Sequence, residues 1–322
     1  MPAGLPPSLQ PGTSRAAMLN ALTIDLEDWF QVSNLEHIIP YERWDECQPR
    51  IERNTHLLLD ILADAGVSAT FFILGWNARR FPQLVRHIRN AGHEIGSHGF
   101  AHRCVFDQDP DSFGRDLDMA TEAIGGACGA RPTAYRAPSF SITARTTWAF
   151  EVLASRRFGI DSSVFPIFHE RYGFMTAPRL PRRVRLNGHA DLFEAPPSTI
   201  RLFGRNYPFA GGAYFRILPQ RVVEFFCRRL NRRGEPVVFY LHPWELDPDI
   251  PRFRLSPFRQ YRSYVHLDQT ADRLARLIRR FEFGPLSLAL EEYRPTAEWE
   301  PCRGTHLAAT EQSRARASSA RS

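Results

Sequence analysis

The sequence predicts an α/β protein built from parallel strands and crossover helices. Two observations carry that reading. Short apolar runs of strand character alternate with segments of helical period along most of the chain. The residues that end those runs are titratable or charged: Asp25, His98, Arg136, Asp161 and His242. In barrels and open sheets of this class, functional groups collect at the C-terminal ends of strands. Five such groups in one chain say more than any one of them alone.

Taken in order, residues 19–25 (LNALTID) read as the first strand. Residues 50–65 carry Ile51, Leu58, Ile61 and Leu62 at helical spacing and stop at Gly66. The run 69–74 (ATFFIL) is a buried strand, 77–91 a helix ending at Gly92, and 94–97 a short strand. A helix over 109–124 opens on Asp-Pro and closes on Gly-Gly. Residues 134–136 read as strand, 146–156 as helix, and 159–161 as the start of another strand. The stretch 165–216, rich in Pro, Gly and Arg, reads as long loops with one extended piece at 191–196. A helix over 219–232, a strand over 237–241 (VVFYL), a helix over 269–280 and a last strand over 286–290 complete the pattern. The organisation expected is an N-terminal extension (1–18), one catalytic domain (19–292) and a flexible basic tail (293–322).

The chain has 322 residues, 43% hydrophobic and 24% charged, which is ordinary globular composition with room for a sizeable core. Its net charge is +6. Part of the excess lies in the tail, where Arg303, Arg314, Arg316 and Arg321 face only Glu311. A solvated basic surface accounts for it, with an acidic polysaccharide or an anionic membrane surface as the sharper alternative. No nucleic-acid motif accompanies the charge, so nucleic acid is not an expected partner. The five cysteines (Cys47, Cys104, Cys128, Cys227, Cys302) show neither zinc-knuckle nor disulfide spacing, so reduced thiols in the cytoplasm are expected. No apolar run approaches the roughly 18–20 residues that span a bilayer. Residues 1–17 lack the apolar stretch of a signal peptide, and Met18 is the expected true start.

His98 and His102 stand four apart in Ser-His-Gly-Phe-Ala-His. A turn of that pitch brings both imidazoles to one point, and two imidazoles with a carboxylate make an open zinc site. His93-Glu94 is a near miss: HExxxH is one residue too long for the zinc-protease helix, and Gly96 and Gly99 interrupt a helix there. The acidic cluster Asp25-Leu26-Glu27-Asp28 offers one carboxylate for a metal and one for a general base. Arg136, in Tyr-Arg-Ala-Pro-Ser-Phe, sits where a guanidinium can hold the base ionised. His242 is placed to protonate an amine leaving group, with Asp161 raising its pKa. Each residue has an ordinary structural use as well: an acidic surface turn, a surface salt bridge, a satisfied histidine. Trp29, Tyr207, Tyr214, Phe215 and Trp244 are candidates for stacking on sugar rings, though most aromatics in such a chain are core. Gly211 and Gly212 read as a tight turn.

These pieces, in this order, resemble the polysaccharide deacetylase family (carbohydrate esterase family 4, the NodB-homology domain). The corresponding stretches are 23–28, 97–102, Arg136 to Pro138, Asp161 and 240–242, with Ala69-Thr70-Phe71-Phe72 and the run 91–98 in support. The resemblance spans roughly residues 19–290. It implies a distorted (β/α) barrel of about seven parallel strands. The runs 25–31 (DLEDWFQ), 211–216 (GGAYFR) and 240–245 (YLHPWE) are similar to a subgroup found in exopolysaccharide loci associated with exosortase systems, so that the implied substrate is an N-acetylated polysaccharide or its lipid-linked precursor. Two departures stand out. Asp-Leu-Glu-Asp replaces the family's adjacent Asp-Asp. Asp25 then aligns with the base, and the acidic ligand is Glu27 or Asp28. Strand alternation puts Glu27 on the side of Asp25 and favours it, unless a turn begins at Leu26. The other departure is Pro243, directly after His242.

The implied chemistry is metal-dependent amide hydrolysis. His98, His102 and Glu27 or Asp28 hold a divalent metal, expected to be zinc. Asp25 deprotonates the attacking water, a backbone N–H near Ser139 and Phe140 assists the metal at the oxyanion, and His242 protonates the amine. Such an enzyme would meet its precursor at the inner membrane face. The rival expectations are an amidohydrolase of small amides, as in allantoinase-like relatives, and a silent carbohydrate-binding protein of a polymer-export system.

Overall fold

A computed structural model describes residues 18–169, 172–186 and 192–301. The stretch 1–17, the tail from residue 302 and Cys302 lie outside the described residues. Twelve strands are described: β1 (Asn20–Leu26), β2 (Thr70–Ile73), β3 (Glu94–Ser97), β4 (Ala134–Tyr135), β5 (Ile160–Asp161), β6 (Arg182–Val184), β7 (Leu192–Glu194), β8 (Thr199–Leu202), β9 (Arg205–Pro208), β10 (Val238–Leu241), β11 (Phe283–Gly284) and β12 (Glu298–Trp299). Seven run parallel in the order β10-β1-β2-β3-β4-β5-β7. β6 adds antiparallel to β7, β12 adds parallel to β6, and β11 pairs with the start of β1. β8 and β9 form a separate hairpin. The result is the distorted, curled barrel expected. It is open, because no described pairing joins β10 to β12.

Every residue of β1 is buried, and its alternation sorts the two layers. Leu22, Ile24 and Leu26 face outward into a core shared with Ile51, Leu58 and Leu62 of α1 (Ile51–Ala65). Ala21 lies in a second cluster with Phe72, Ala134, Val238 and Leu286. Asp25 shares the parity of Ala21 and Thr23, so a carboxylate emerges at the strand's C-terminal end on that inner side.

Several expected elements change on folding. The single helix over 77–91 is two, α2 (Gly75–Arg80) and α3 (Pro82–Asn90). Pro82 bars helical geometry at Phe81, which takes φ −129°, ψ 58°. The helix expected to close at Gly125-Gly126 continues as α4 (Pro110–Cys128) and stops at left-handed Gly129. Ile124, Ala127 and Cys128 are buried on one face, and that packing outweighs the cost of two glycines. The helix expected over 146–156 forms as α5 (Trp148–Ser155). In the stretch 165–216, β7 forms within the extended piece expected at 191–196, and β6, the hairpin and the helix α6 (Gly212–Ile217) replace part of the expected loops. α7 (Gln220–Asn231) is as expected, α8 (Pro257–Tyr264) has no counterpart in the expected pattern, and α9 (Thr270–Ile278) follows. The expected last strand at 286–290 is a helix, α10 (Leu286–Tyr293). Its buried residues Leu286, Ala289 and Leu290 follow i, i+3, i+4, a helical period that the short apolar run conceals. The tail is ordered at its start, where Trp299 pairs with Val184 and packs on Phe150 and Phe174.

Gly211 does more than turn the chain. It bridges to Tyr240 on the outer side of β10, with φ 134°, and a Cβ there would collide with the Tyr240 carbonyl. Only glycine lets the backbone approach that closely.

Candidate active site

Strand ends deliver the site residues to one mouth of the barrel. β1 ends on Asp25 and Leu26 and turns at once, the Glu27 N–H bonding to Asp25 O at 2.8 Å. A turn therefore does begin there, and it still sends Glu27 to the histidines. Glu27 Oε1 lies 2.9 Å from His98 Nε2 and 3.1 Å from His102 Nε2, all three side chains being buried. His98 Nδ1 donates to Arg136 O at 2.7 Å. This bond places a proton on Nδ1 and turns Nε2 toward the carboxylate. At 2.9 Å the nitrogen and the carboxylate oxygen need a proton or a metal ion between them. The donor set thus fits a divalent metal, and Glu27, His98 and His102 are the metal-compatible group among the described residues. Burial works against ionisation of Glu27, but His102 and His242 hold its carboxyl well below the usual range.

Asp28 points elsewhere. Its Oδ2 accepts the N–H groups of Arg50 at 2.7 Å and Ile51 at 3.1 Å, and its Oδ1 accepts the Trp29 N–H at 2.8 Å. It satisfies donors at the start of α1 that no local side chain caps. Burial pushes its carboxyl up to about 6 despite these bonds.

Arg136 is fully buried beneath the site. It donates to Asp25 Oδ1 at 2.7 Å, Thr23 Oγ1 at 2.8 Å, Ser162 Oγ at 2.8 Å and Ser162 O at 3.1 Å. Its guanidinium also lies 4.4 Å from the centre of the Phe72 ring. A buried cation so fully partnered holds Asp25 in one orientation. The other Asp25 oxygen lies 3.7 Å from His242 Nε2.

The residue that orients His242 is not Asp161. Asp161 accepts from Ser163 Oγ at 2.5 Å and shares a buried contact with Glu194, whose carboxyl is held well above the usual range by burial and by Asp161. Its neighbour Ser162 serves Arg136. The His242 ring is instead held by Glu245, with Nδ1 2.7 Å from Oε1. Glu245 Oε2 in turn accepts from the buried Arg216 at 2.7 Å. Arg216 also donates to Val265 O at 2.8 Å and Arg262 O at 2.9 Å. Sequence reasoning missed this Arg216–Glu245–His242 chain. The signal available was the Glu three residues after the histidine, in His-Pro-Trp-Glu. Proline after His242 begins the short helical turn Pro243–Leu246 that folds Glu245 back.

Burial opposes charge on His242, yet Glu27, Glu245 and Asp25 together raise its pKa to about 9. A free histidine titrates near 6.5, so the bound proton stabilises the fold fully below that pH and not at all well above 9. For the metal-free protein, the stability drawn from His242 should fall between pH 6.5 and 9, by as much as about 3 kcal/mol. Urea midpoints across that window, compared with those of His242→Gln, check it; parallel curves would refute the linkage.

The cavity above these groups has a volume of about 580 Å³. Phe140, Tyr172, Tyr240, Trp244 and Phe258 supply its aromatic lining. Of the expected sugar-stacking residues, Trp244 lines it and stacks on His242, with ring centres 5.4 Å apart. Trp29 is buried against Phe253 with its Nε1 bonded to Gln48 O, and Phe215 is core. Tyr207 is exposed on β9, and Tyr214 lies beside Arg262 without lining the cavity. Ser139 and Phe140 both take left-handed backbone, at φ 54° and 52°, as does His102 at 54°. Strain at three residues of one site is held in place by the surrounding fold. The Phe140 N–H is used inside the turn, on Ala137 O at 3.0 Å. Ser139 Oγ meets Ser33 Oγ at 2.5 Å on the cavity wall.

A family model described as polysaccharide deacetylase matches residues 42–156, and one described as a domain of unknown function (DUF3473) matches residues 162–291. The chain is 35% identical over 98 residues to a peptidoglycan-N-acetylglucosamine deacetylase of Bacillus cereus, covering 30% of this chain and 36% of that protein. It is 33% identical over 193 residues to a chitooligosaccharide deacetylase of Bradyrhizobium, covering 58% of this chain and 80% of that protein. The chain belongs to the polysaccharide deacetylase family. A crystal structure from Mycobacterium smegmatis, provisionally named a polysaccharide deacetylase, matches its fold with a TM-score of 0.60 at 21% identity, over 91% of this chain and 97% of that one. Of the first curated relatives' length, the match spans little more than a third. The residues of this deacetylase-family site come from three places: β1 ahead of the first matched stretch, that stretch itself, and the second stretch, which holds Arg216, His242 and Glu245. Among the described residues no helix is long and apolar enough to cross a membrane.

Proposed function

We propose that this chain is a metal-dependent N-deacetylase that releases acetate from an N-acetylated sugar of an exopolysaccharide or its lipid-linked precursor. One observation carries the reading: a carboxylate fixed by a buried arginine faces a histidine 3.7 Å away, beside a Glu-His-His set, at the floor of an open cavity. Glu27, His98 and His102 would hold the metal, which when bound supplies Lewis-acid polarisation of the acetamide carbonyl and a more acidic water. Asp25 is the group positioned to take the proton of the attacking water. Arg136 keeps it oriented, and the Ser139 N–H, whose neighbour's N–H is already used, is the backbone donor for the oxyanion. His242 is the group positioned to give a proton to the departing amine. Glu245 and Arg216 fix its ring. The relatives named for peptidoglycan and chitooligosaccharide deacetylation support the linkage attacked. The net charge of +6 supports work against an anionic inner membrane face, where a lipid-linked precursor is met.

Acetate release from N-acetylglucosamine oligomers, with and without chelator and after zinc is restored, tests the proposal. Release stopped by chelator and recovered with metal is the expected result. Zinc bound without release would turn the assignment toward a small-amide hydrolase, and no bound metal toward a silent carbohydrate-binding protein.

A further inference from the structure

We infer that the cavity contains a subsite for an anionic group, a carboxylate or a phosphate carried on the saccharide, built on Arg262 and Arg259 of α8. The inference rests on the proposed deacetylase reading and adds the charge of its substrate.

The floor of the cavity is electrically settled. Asp25 is paired with Arg136, Glu245 with Arg216 and His242, and Glu27 converges with the two histidines in the metal-compatible group. The wall formed by α8 is not. Arg259 and Arg262 both line the cavity, and among the described residues no carboxylate lies within ion-pair distance of either. Arg262 is mostly enclosed. Its guanidinium lies over the rings of Tyr214 and Phe258, 5.5 and 5.8 Å from their centres, and its Nε is a buried donor with no partner among the described residues. The side chain's polar neighbours are the tyrosines Tyr172, Tyr214 and Tyr240. Glu36 also lines the cavity but is exposed and already engaged. A half-buried guanidinium with a spare donor and no counter-charge among the described residues is what a planar anion binds, often through two parallel hydrogen bonds.

The location is also fixed. Arg216 bonds to the carbonyls of Arg262 and Val265 with the same guanidinium that holds Glu245. The wall bearing the two arginines is thereby tied to the group that orients His242. An anion bound at Arg262 would set the sugar's position relative to His242 and Asp25. Phe258, 69% exposed at the rim, offers a ring face to the sugar bearing the anion.

The test is calorimetric binding to zinc-loaded Asp25→Asn protein, which leaves the ligand intact through the titration. The probes are tetra-N-acetylchitotetraose (neutral), a hyaluronan tetrasaccharide (carboxylate) and UDP-N-acetylglucosamine (diphosphate). At low salt at least one anionic probe should bind roughly tenfold or more tighter than the neutral one, the scale of a charge-assisted pair. That preference should shrink as salt rises, disappear in Arg262→Gln, fall in Arg259→Gln and survive in part in Arg262→Lys. Preference for hyaluronan alone assigns a carboxylate, and for UDP-N-acetylglucosamine alone a phosphate. Equal affinity for all three probes, or equal weakening of all three by Arg262→Gln, would overturn the inference. Failure of the deacetylase reading would show separately, as no acetate release by the wild-type protein on any probe.

Discussion

Asp25→Asn should lower acetate release by roughly 10²- to 10⁴-fold, the range a positioned general base supplies, while leaving bound metal unchanged. The substitution removes the proton acceptor and little else. The amide oxygen of the new side chain can still accept from Arg136, and that guanidinium keeps Thr23 and Ser162 as partners. The metal-compatible group consists of Glu27, His98 and His102, none of which bonds to Asp25 through its side chain. Turnover and zinc stoichiometry measured on the same preparation decide the matter. Activity within about tenfold of wild type, below what a general base contributes, would remove Asp25 from that role. Loss of zinc together with activity would show that it helps to hold the metal.

Glu27→Gln and Asp28→Ala should fail in opposite ways. Glu27→Gln takes the charge from the point where both imidazoles converge, and zinc affinity should drop by more than the roughly 10- to 100-fold typical of an outer-shell partner. Its fold should hold, because the amide keeps the shape and one acceptor oxygen. Asp28→Ala should keep zinc and lose about 1–3 kcal/mol of stability, because the backbone N–H groups of Arg50 and Ile51 at the start of α1, and that of Trp29, lose their acceptor. Zinc content at buffered free metal and urea midpoints separate the two. A zinc-free Asp28→Ala protein beside a zinc-loaded Glu27→Gln protein would reverse the assignment.

Much of the framework is legible in the sequence because its parts are local. The strand ends at Asp25, His98 and His242 follow short apolar runs whose period and length are plain, and His98 and His102 are close enough for spacing alone to bring them together. The choice between Glu27 and Asp28 is not local. It depends on a turn one residue long and on α1, which begins 23 residues after Asp28 and recruits its carboxylate. Asp161 is the more instructive miss. It ends a strand as the others do, and its charge invites pairing with a histidine. The β7 strand beside it brings Glu194, and the two carboxyls settle against each other instead. The role expected of Asp161 fell to Glu245, only three residues from His242, through a turn that Pro243 starts. Arg216 could not be found from spacing, since it is 29 residues from Glu245 and stands on a helix of six residues. The helical period of α10 was hidden for a related reason, that a short apolar-rich run fits a strand as well as a helix turn.

The 3.7 Å between Asp25 and His242 has a consequence for how the site restores itself. Under the proposed roles, one turnover leaves a proton on Asp25 and takes one from His242. Each group then holds what the other lacks, and a single water can bridge the gap. The site can return to its starting state by an internal relay, with no proton drawn from buffer. Its total protonation then stays constant from one cycle to the next, and the alternating row Arg216, Glu245, His242, Asp25, Arg136 keeps the same net charge at the start and end of every cycle.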